Sequence, residues 1–213
     1  MNLVNVIGTS AAAGILLYLL IKRKKGNGRR PKNYGAGMLS NFWSVDDFHA
    51  SQVSQAQNIT EQFEPAPENK YDVGRGLAQF ILDPLQAFFL PASLSITSWY
   101  RSDALNDYLV NSPQYNAVPN SVHRTGGAVD ISLYRPDNLG TVTKQNGDLV
   151  AAVLAMDLPF NRMLLEGGSV TNPAWVQIEY DPIKTDRKIL VLPNGLSGYE
   201  ITINEARALF NVV

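Results

Sequence analysis

The sequence predicts an α+β fold: a small, mostly antiparallel sheet with helices packed on one face, preceded by a single N-terminal transmembrane helix. Three observations support this class. Apolar residues recur at helical spacing in the first half of the chain, several later stretches alternate with a period of two, and the first 21 residues carry no side chain that is charged at neutral pH. With 213 residues, 45% of them apolar, the chain can build one domain with a core, and the absence of cysteine excludes disulfides and thiolate metal ligands.

Residues 1–21 are predicted to form the transmembrane anchor. As a helix they would span about 30 Å, the hydrocarbon thickness of a bilayer. A cleaved signal peptide and a core helix are the alternatives, but the positive charge follows the apolar run, at Lys22–Lys25, instead of preceding it. The positive-inside tendency then puts the following domain on the cytoplasmic side at insertion.

Residues 22–40 are predicted to be a basic, flexible linker. Seven of the 18 basic residues lie between Lys22 and Lys32, whereas residues 33–213, with 11 basic and 19 acidic residues, carry a net charge of −8. A basic segment next to a membrane anchor is attracted to anionic lipid headgroups, so these lipids are the expected partner. Contact with nucleic acid is the alternative, but no aromatic residues interleave the charges, so nucleic acid is not expected as a partner.

Helices are predicted first along the domain. Ser44 and Asp47 form the start signal of a short helix that carries Phe48 inward, and Pro84 is expected to kink a longer one or to begin a new turn. The other helices are predicted from capping residues and from the spacing of apolar residues. The longer helices are predicted at Tyr71–Phe89, Asp103–Asn111 and Asp148–Met156.

Strands are predicted where the apolar period changes to two. They are Leu94–Ser98, Ala128–Tyr134, Arg162–Gly167 and Ala174–Asp181. Residues 41–181 form the main domain in this interpretation, and residues 182–213 form an appended hairpin and helix. The hairpin comprises Lys188–Leu192, a turn at 193–195 and Tyr199–Ile203, and Asn204 is predicted to cap the last helix. A tail of this size completes a sheet or mediates subunit contact more often than it carries chemistry.

The stretch Ser121-Val-His-Arg-Thr-Gly-Gly-Ala-Val-Asp130 holds the residues of most chemical interest. It sets His123 and Asp130 seven positions apart around Gly126 and Gly127, which permit a tight turn. A zinc site needs ligands held by at least two rigid elements, and this arrangement meets that need if the chain folds back between them. By itself the spacing is weak evidence, since a lone histidine near a turn is usually structural.

Together with other stretches, this motif resembles the zinc D-Ala-D-Ala carboxypeptidase and L-alanyl-D-glutamate endopeptidase family, whose site is shared with the hedgehog signalling domain. The match follows the phage and bacterial endopeptidase branch and covers residues 41–181. The other matching stretches are Phe42-Trp-Ser-Val-Asp-Asp-Phe-His-Ala-Ser51, Ile81-Leu-Asp-Pro-Leu85, Ile96-Thr-Ser-Trp-Tyr-Arg-Ser102 with Asn106, Leu164-Leu-Glu166 and Trp175-Val-Gln-Ile178.

The resemblance implies a role for each matching residue. His123 and Asp130 would be zinc ligands, and Arg101 would hold a substrate carboxylate with its guanidinium fork. Glu166 would be the general base that takes a proton from the zinc-held water and returns it to the leaving amine. The alternatives are a surface ion pair for Arg101 and a plain strand-end carboxylate for Glu166.

The chain departs from the family at Gln177, where the family has its third ligand, a histidine. An amide oxygen is a poorer zinc ligand than imidazole, so whether the chain is an enzyme turns on this position. Glu179 lies two residues further on and faces the same way as Gln177 in a strand, so it is a second candidate for the missing ligand. Alternatively, Glu179 is solvated and the site holds no metal.

Two functions from different classes remain open. The first is a membrane-anchored zinc peptidase-like protein directed at peptidoglycan stem peptides, for cell-wall lysis or entry by a phage. The second is a catalytically inactive structural or virion membrane protein on the same fold, with residues 182–213 contacting another copy or other virion proteins. A site that binds metal without hydrolysis lies between them. In either case the chain is expected to be a single-pass protein of the host cytoplasmic membrane or of a virion membrane.

Overall fold

The computed structural model describes residues 37–115, 117–136, 141–184, 186–194 and 197–212. The domain has an α+β architecture with helices and a mixed sheet, as the sequence predicts. The helices are α1 (Val45–Phe48), α2 (Gln52–Gln57), α3 (Glu68–Leu77), α4 (Asp83–Phe89), α5 (Asp103–Asn111), α6 (Asn146–Ala155) and α7 (Ile203–Leu209). The strands are β1 (Ser93–Ser98), β2 (Ala128–Pro136), β3 (Val142–Lys144), β4 (Arg162–Glu166), β5 (Trp175–Glu179), β6 (Lys188–Leu192) and β7 (Tyr199–Ile201).

The seven strands form one sheet in the order β1-β2-β5-β4-β6-β7, and β3 pairs with β2. The β4–β6 pair is parallel and every other described pair is antiparallel. β2 lies between β1 and β5, which places Asp130, the last residue of the 121–130 stretch, on an inner strand of the sheet. Asp130 on β2 consequently has Ser98 on one side and Gln177 on the other.

The two faces of the sheet differ in polarity. On one face, strand residues and helix residues share a single hydrophobic core. The strand contribution to this core includes Val129, Ile131, Leu133, Met163, Leu165, Val176, Ile178, Ile189 and Val191. The period-two geometry turns the intervening residues, such as Asp130, Gln177 and Glu166, to the opposite face. The candidate site residues therefore lie on the face of the sheet opposite the hydrophobic core.

The long helical stretch differs in detail from the prediction. It begins at Glu68, three residues earlier than predicted, and passes from α3 to α4 through a wider π-turn at Ala78–Leu82. There the Asp83 N–H donates to the carbonyl of Ala78, five residues back. Pro84 follows directly and has no N–H to donate, which accounts for a local change of winding in place of a sharp kink.

The start signal at Ser44 is confirmed. Ser44 and Asp47 form a reciprocal capping box at the start of α1, and Phe48 is fully buried. The cap of the last helix was predicted wrongly. Thr202, not Asn204, accepts from the Glu205 N–H, and Glu205 returns the bond, because Thr202 is the last residue with extended backbone.

Residues 182–212 extend the main sheet. β6 pairs with β4 and buries Ile189 and Val191, while Ala206 of α7 joins the same core. At the other end, Leu39 and Ser40, which the sequence places in the linker, are buried, and the Ser40 hydroxyl donates to Asp83 at 2.7 Å.

The predicted anchor at residues 1–21 lies outside the described residues, as does the basic part of the linker. Among the residues that are described, no helix combines the length and the apolar character needed to cross a bilayer.

Candidate functional site

A tight turn brings His123 back over the sheet. His123 lies in a 3₁₀ turn, Val122–Thr125, that ends at Gly126 in the left-handed conformation with φ of 77°. A Cβ at Gly126 would lie 2.6 Å from the carbonyl oxygen of Lys70 and 2.9 Å from the Phe48 ring. Only glycine fits this conformation in this space, so the sequence prediction of a glycine turn between His123 and Asp130 is confirmed.

A hydrogen bond from Nδ1 to the main chain fixes the orientation of the His123 ring. Its Nδ1 lies 2.6 Å from the carbonyl oxygen of Trp99, and the side chain is 1% exposed. A carbonyl oxygen can only accept, so Nδ1 carries the proton. In the neutral ring, Nε2 then presents a lone pair to the open face of the sheet.

Two oxygens face Nε2 of His123. Asp130 Oδ1 lies 3.4 Å from it and Gln177 Oε1 lies 3.3 Å from it. Asp130 Oδ1 is buried and has no hydrogen-bond partner, which is rare for a carboxylate oxygen. Three acceptors that converge in this way require either a second proton on His123 or a cation between them.

Zinc matches the separations of these atoms. In a tetrahedral site with bonds of about 2.0–2.2 Å, neighbouring ligand atoms are about 3.3–3.6 Å apart. The two observed distances from Nε2, 3.3 and 3.4 Å, lie in this range. His123, Asp130 and Gln177 therefore fit a cation, although the described residues contain no group of three or more His, Cys, Asp or Glu side chains placed to hold one.

Arg101 lies at the edge of the same site, between β1 and α5. Its Nη2 donates to Asp130 Oδ2 at 3.1 Å and its Nε donates to the Ser98 hydroxyl at 3.1 Å. Burial works to raise the pKa of Asp130, but His123 and Arg101 outweigh it and hold this pKa below its ordinary value. The aspartate is accordingly ionised, as a metal ligand must be.

The backbone that carries Arg101 is fixed by a residue that the sequence reasoning missed. Gln62 is fully buried, and its Nε2 donates to the carbonyl of Tyr100 at 2.7 Å while its Oε1 accepts from the Ser102 N–H at 2.8 Å. The Arg101 N–H itself donates to the carbonyl of His123. This segment has no regular structure, so these side-chain bonds replace a sheet ladder.

Glu166 is the last residue of β4 and lies on the same polar face of the sheet as Asp130 and Gln177. It is the partner of Trp175 across β4 and β5, and the Trp175 side chain forms a hydrogen bond with its carboxylate. Burial raises the pKa of Glu166 to about 7, and the negative charge of Asp130 adds to the shift. A carboxylate with this pKa exchanges protons near neutral pH.

Glu179 faces the same way as Gln177, as the period-two reading predicted, but it is neither solvated nor free. It is 2% exposed and forms a double hydrogen bond with Arg162, from Nε to Oε2 at 2.6 Å and from Nη2 to Oε1 at 2.8 Å. Gln177 Nε2 also donates to Glu179 Oε1, at 2.9 Å. The sequence reasoning missed Arg162; its position opposite Glu179 follows only from the strand register.

His49, the other histidine, lies away from this site. It is buried among aromatic rings, with Nδ1 donating to the Gln62 carbonyl at 2.6 Å and Nε2 accepting from the Tyr71 hydroxyl at 2.9 Å. It is thus a packing residue.

The site therefore joins a histidine, a carboxylate and an amide oxygen to a guanidinium and a second carboxylate with a raised pKa. Comparison of the chain with protein-family models, with curated proteins and with solved structures found no match.

Proposed function

We propose that this protein is a zinc-dependent peptidase-like protein whose substrates are peptidoglycan stem peptides. The observation that carries the proposal is the convergence of His123 Nε2, Asp130 Oδ1 and Gln177 Oε1 at the separations expected of zinc ligands. Apart from the His123 ring, which lies 3.4 Å away, Asp130 Oδ1 has no partner, and a buried carboxylate oxygen is costly without one.

His123, Asp130 and Gln177 would hold the metal in this proposal. The chemistry that zinc supplies is that of a Lewis acid, which polarises a peptide carbonyl and lowers the pKa of water. The set of one histidine, one amide and one carboxylate would hold the metal more weakly than two histidines and one carboxylate, because an amide oxygen is a poorer zinc ligand than imidazole.

Arg101 recognises the terminal carboxylate of the substrate. Its guanidinium is oriented by Ser98 and Asp130 and is 15% exposed, so the group is held in place at the mouth of the site. Stem peptides end in D-amino acid carboxylates, which fit a planar, always-charged fork.

Glu166 is the general base. Its pKa of about 7 allows it to take a proton from the attacking water and to return that proton to the leaving amine near neutral pH. The position of Glu166 beside Trp175, on the face shared with Gln177, supports this role.

The attachment of the chain to a membrane is part of the same proposal. Residues 1–21 anchor the chain in a host cytoplasmic membrane or a virion membrane, and the basic residues between Lys22 and Lys32 contact anionic lipid headgroups. In a virion membrane the domain meets the cell wall at entry.

A second candidate is a structural or binding protein that keeps the fold without the chemistry. The specific observation in its favour is that both carboxylates near Gln177 already have cationic partners, Arg101 for Asp130 and Arg162 for Glu179. In this case His123 is protonated and donates to Asp130, and no metal is needed.

The test is zinc retention and peptide cleavage by the full-length chain, purified in a mild detergent, equilibrated with zinc and desalted. The proposal expects about one zinc per chain and cleavage of muropeptides that stops with Glu166→Gln. Asp130→Asn should lose the zinc, whereas Asp148→Asn, a matched change in a partly exposed ion pair with Arg135, should keep it.

Gln177→His separates the two candidates. If the native chain retains no zinc and Gln177→His retains one, the fold is that of a metal site whose native form has lost its metal, and the structural candidate stands. If the native chain retains zinc but cleaves no muropeptide, the peptidase proposal fails and metal binding remains.

A further inference from the structure

The Glu179 carboxylate lies beside the proposed metal site in a place where a bare charge would be costly. It is 2% exposed, yet it accepts three hydrogen bonds, two from Arg162 and one from Gln177. Both of its oxygens are used by Arg162, so the carboxylate cannot swing toward His123 without breaking a buried ion pair. Its role must therefore be exerted from where it lies.

The bond from Gln177 fixes which end of the amide faces the site. A primary amide has a donor end and an acceptor end, and the donor end, Nε2, lies 2.9 Å from Glu179 Oε1. Both oxygens of Glu179 also accept from Arg162, so the carboxylate serves as an acceptor toward both side chains. The amide oxygen is consequently turned toward His123 Nε2, at 3.3 Å.

The same bond improves the oxygen as a ligand. A carboxylate that accepts from an amide N–H draws negative charge onto the amide oxygen, just as a carbonyl or carboxylate behind a metal-binding histidine makes its ring a better ligand. His123 has such a partner in the carbonyl of Trp99. Gln177 has one in Glu179, so each neutral ligand is backed by an acceptor.

We propose that Glu179 is a positioning residue that orients and polarises the Gln177 amide for metal binding, with Arg162 holding Glu179 in place. The inference rests on the proposed zinc site and assigns Glu179 to its outer shell instead of its ligand set. It explains how an amide oxygen can serve as a ligand where the stronger histidine is expected, because the Glu179 carboxylate orients and polarises the amide.

The first experiment measures zinc affinity of the full-length chain in detergent, by competition with a chromogenic chelator. Glu179→Gln should weaken zinc binding roughly 10- to 100-fold, the usual effect of removing an outer-shell partner. The matched control is Glu200→Gln, which removes a carboxylate paired with Lys188 on the β6–β7 hairpin and should leave the affinity unchanged. Equal affinities of the native chain and Glu179→Gln overturn the inference.

A reciprocal exchange separates positioning from a merely structural role. Gln177→Glu alone sets two carboxylates against each other, whereas Gln177→Glu with Glu179→Gln restores one donor and one acceptor between the two positions. The double variant should bind zinc at least tenfold more tightly than either single variant. If Glu179 only supports the fold through Arg162, the double variant binds no more tightly than Gln177→Glu, and the inference is overturned.

A metal-free measurement keeps this inference separable from the proposed function. In the spectrum of a chain labelled with ¹⁵N in glutamine side chains, the Gln177 signals are identified by their loss in Gln177→Leu. One amide proton should resonate downfield and exchange slowly, and Glu179→Gln should abolish both properties. A native chain without zinc affinity refutes the proposed function; an amide signal unchanged by Glu179→Gln refutes the orientation by Glu179, whatever the zinc result.

Discussion

The polar face of the sheet holds two carboxylates whose pKa values are shifted in opposite directions. His123 and Arg101 keep the pKa of Asp130 below its ordinary value, while burial and the charge of Asp130 raise the pKa of Glu166 to about 7. One group stays ionised and the other exchanges protons at neutral pH. This division suits a ligand and a general base, respectively.

The pH dependence of peptide cleavage tests the role of Glu166. A general base acts only when deprotonated, so kcat/KM should rise with pH as Glu166 loses its proton. The pKa of about 7 is that of the metal-free domain, and a bound cation lowers it, so the midpoint should lie below 7. Trp175→Phe removes the side-chain hydrogen bond that lowers this pKa, and the midpoint should move to higher pH. The measurement is the cleavage rate between pH 5 and 9 with each protein; a midpoint unmoved by Trp175→Phe would show that another group is titrating.

Single residues were predictable from the sequence when the signal was local. The glycine turn between His123 and Asp130 and the shared face of Gln177 and Glu179 follow from backbone rules and a period of two. Arg162 and Gln62 were not predictable, since they contact residues 17 and 40 positions away and depend on strand register and loop packing. The ion pair of Glu179 is the clearest example, because it changes that residue from a ligand candidate to a residue held in place.

At the scale of elements, the site depends on an irregular segment, residues 99–102, between β1 and α5. Its backbone groups are bonded to Phe48, Gln62 and His123, and the Trp99 carbonyl in turn orients the His123 ring. Regular structure ends at Ser98, so these bonds, together with those of the Arg101 side chain to Ser98 and Asp130, hold Arg101 at the site. The bonds of this segment are the physical link between the fold and the proposed chemistry.

Gln62→Leu should reveal the contribution of this link. The change leaves the carbonyls of His49 and Tyr100 and the Ser102 N–H buried without their partner, at a cost of about 3 kcal/mol in the free energy of unfolding. Urea unfolding measures the cost. Gln55→Leu, the same change on an exposed helical position, should alter stability by less than about 0.5 kcal/mol. Comparable losses in the two variants would contradict this role of Gln62.

Gly126→Ala tests the turn that carries His123. The new Cβ would combine left-handed strain with close contacts to Lys70 and Phe48, for a loss of about 3 kcal/mol in stability. Gly37→Ala is the matched control, because Gly37 has a φ of 84° but open space around it, and should lose only about 1 kcal/mol. Thermal or urea unfolding of both variants measures the difference, and equal losses would show that the turn relaxes to admit the methyl group.

The elements themselves were largely predictable, with errors at their ends. The helix at Asp103–Asn111 and the strand at Lys188–Leu192 have the predicted bounds, because a serine cap and a short continuous apolar run, respectively, mark them locally. The cap at Thr202 and the π-turn before Pro84 were missed. Both depend on where the chain changes direction against the core, which local patterns do not encode.

At the scale of the whole molecule, the stability of the fold should depend on pH through two groups, His49 and Glu166, with opposite effects. Burial lowers the pKa of His49, against the hydrogen bond with Gln62 and the charge of Asp46, which work to raise it. The unfolded chain therefore binds the proton more readily, so His49 removes stability as pH falls below about 6.5. Glu166 holds its proton more tightly in the folded state, so it removes stability as pH rises from about 4.5 to 7.

These signs predict different slopes for two variants measured without metal. Urea unfolding of the native chain, His49→Gln and Glu166→Gln, each from pH 5 to 8 with a chelator present, gives the free energies. Relative to the native chain, His49→Gln should gain stability as pH falls through about 6.5, by up to about 1.4 kcal/mol per pH unit. Glu166→Gln should instead gain it as pH rises toward 7. Because the two groups share no partner in the structure, the effects should add, and parallel stability curves for all three proteins would mean that neither group is titrated by folding.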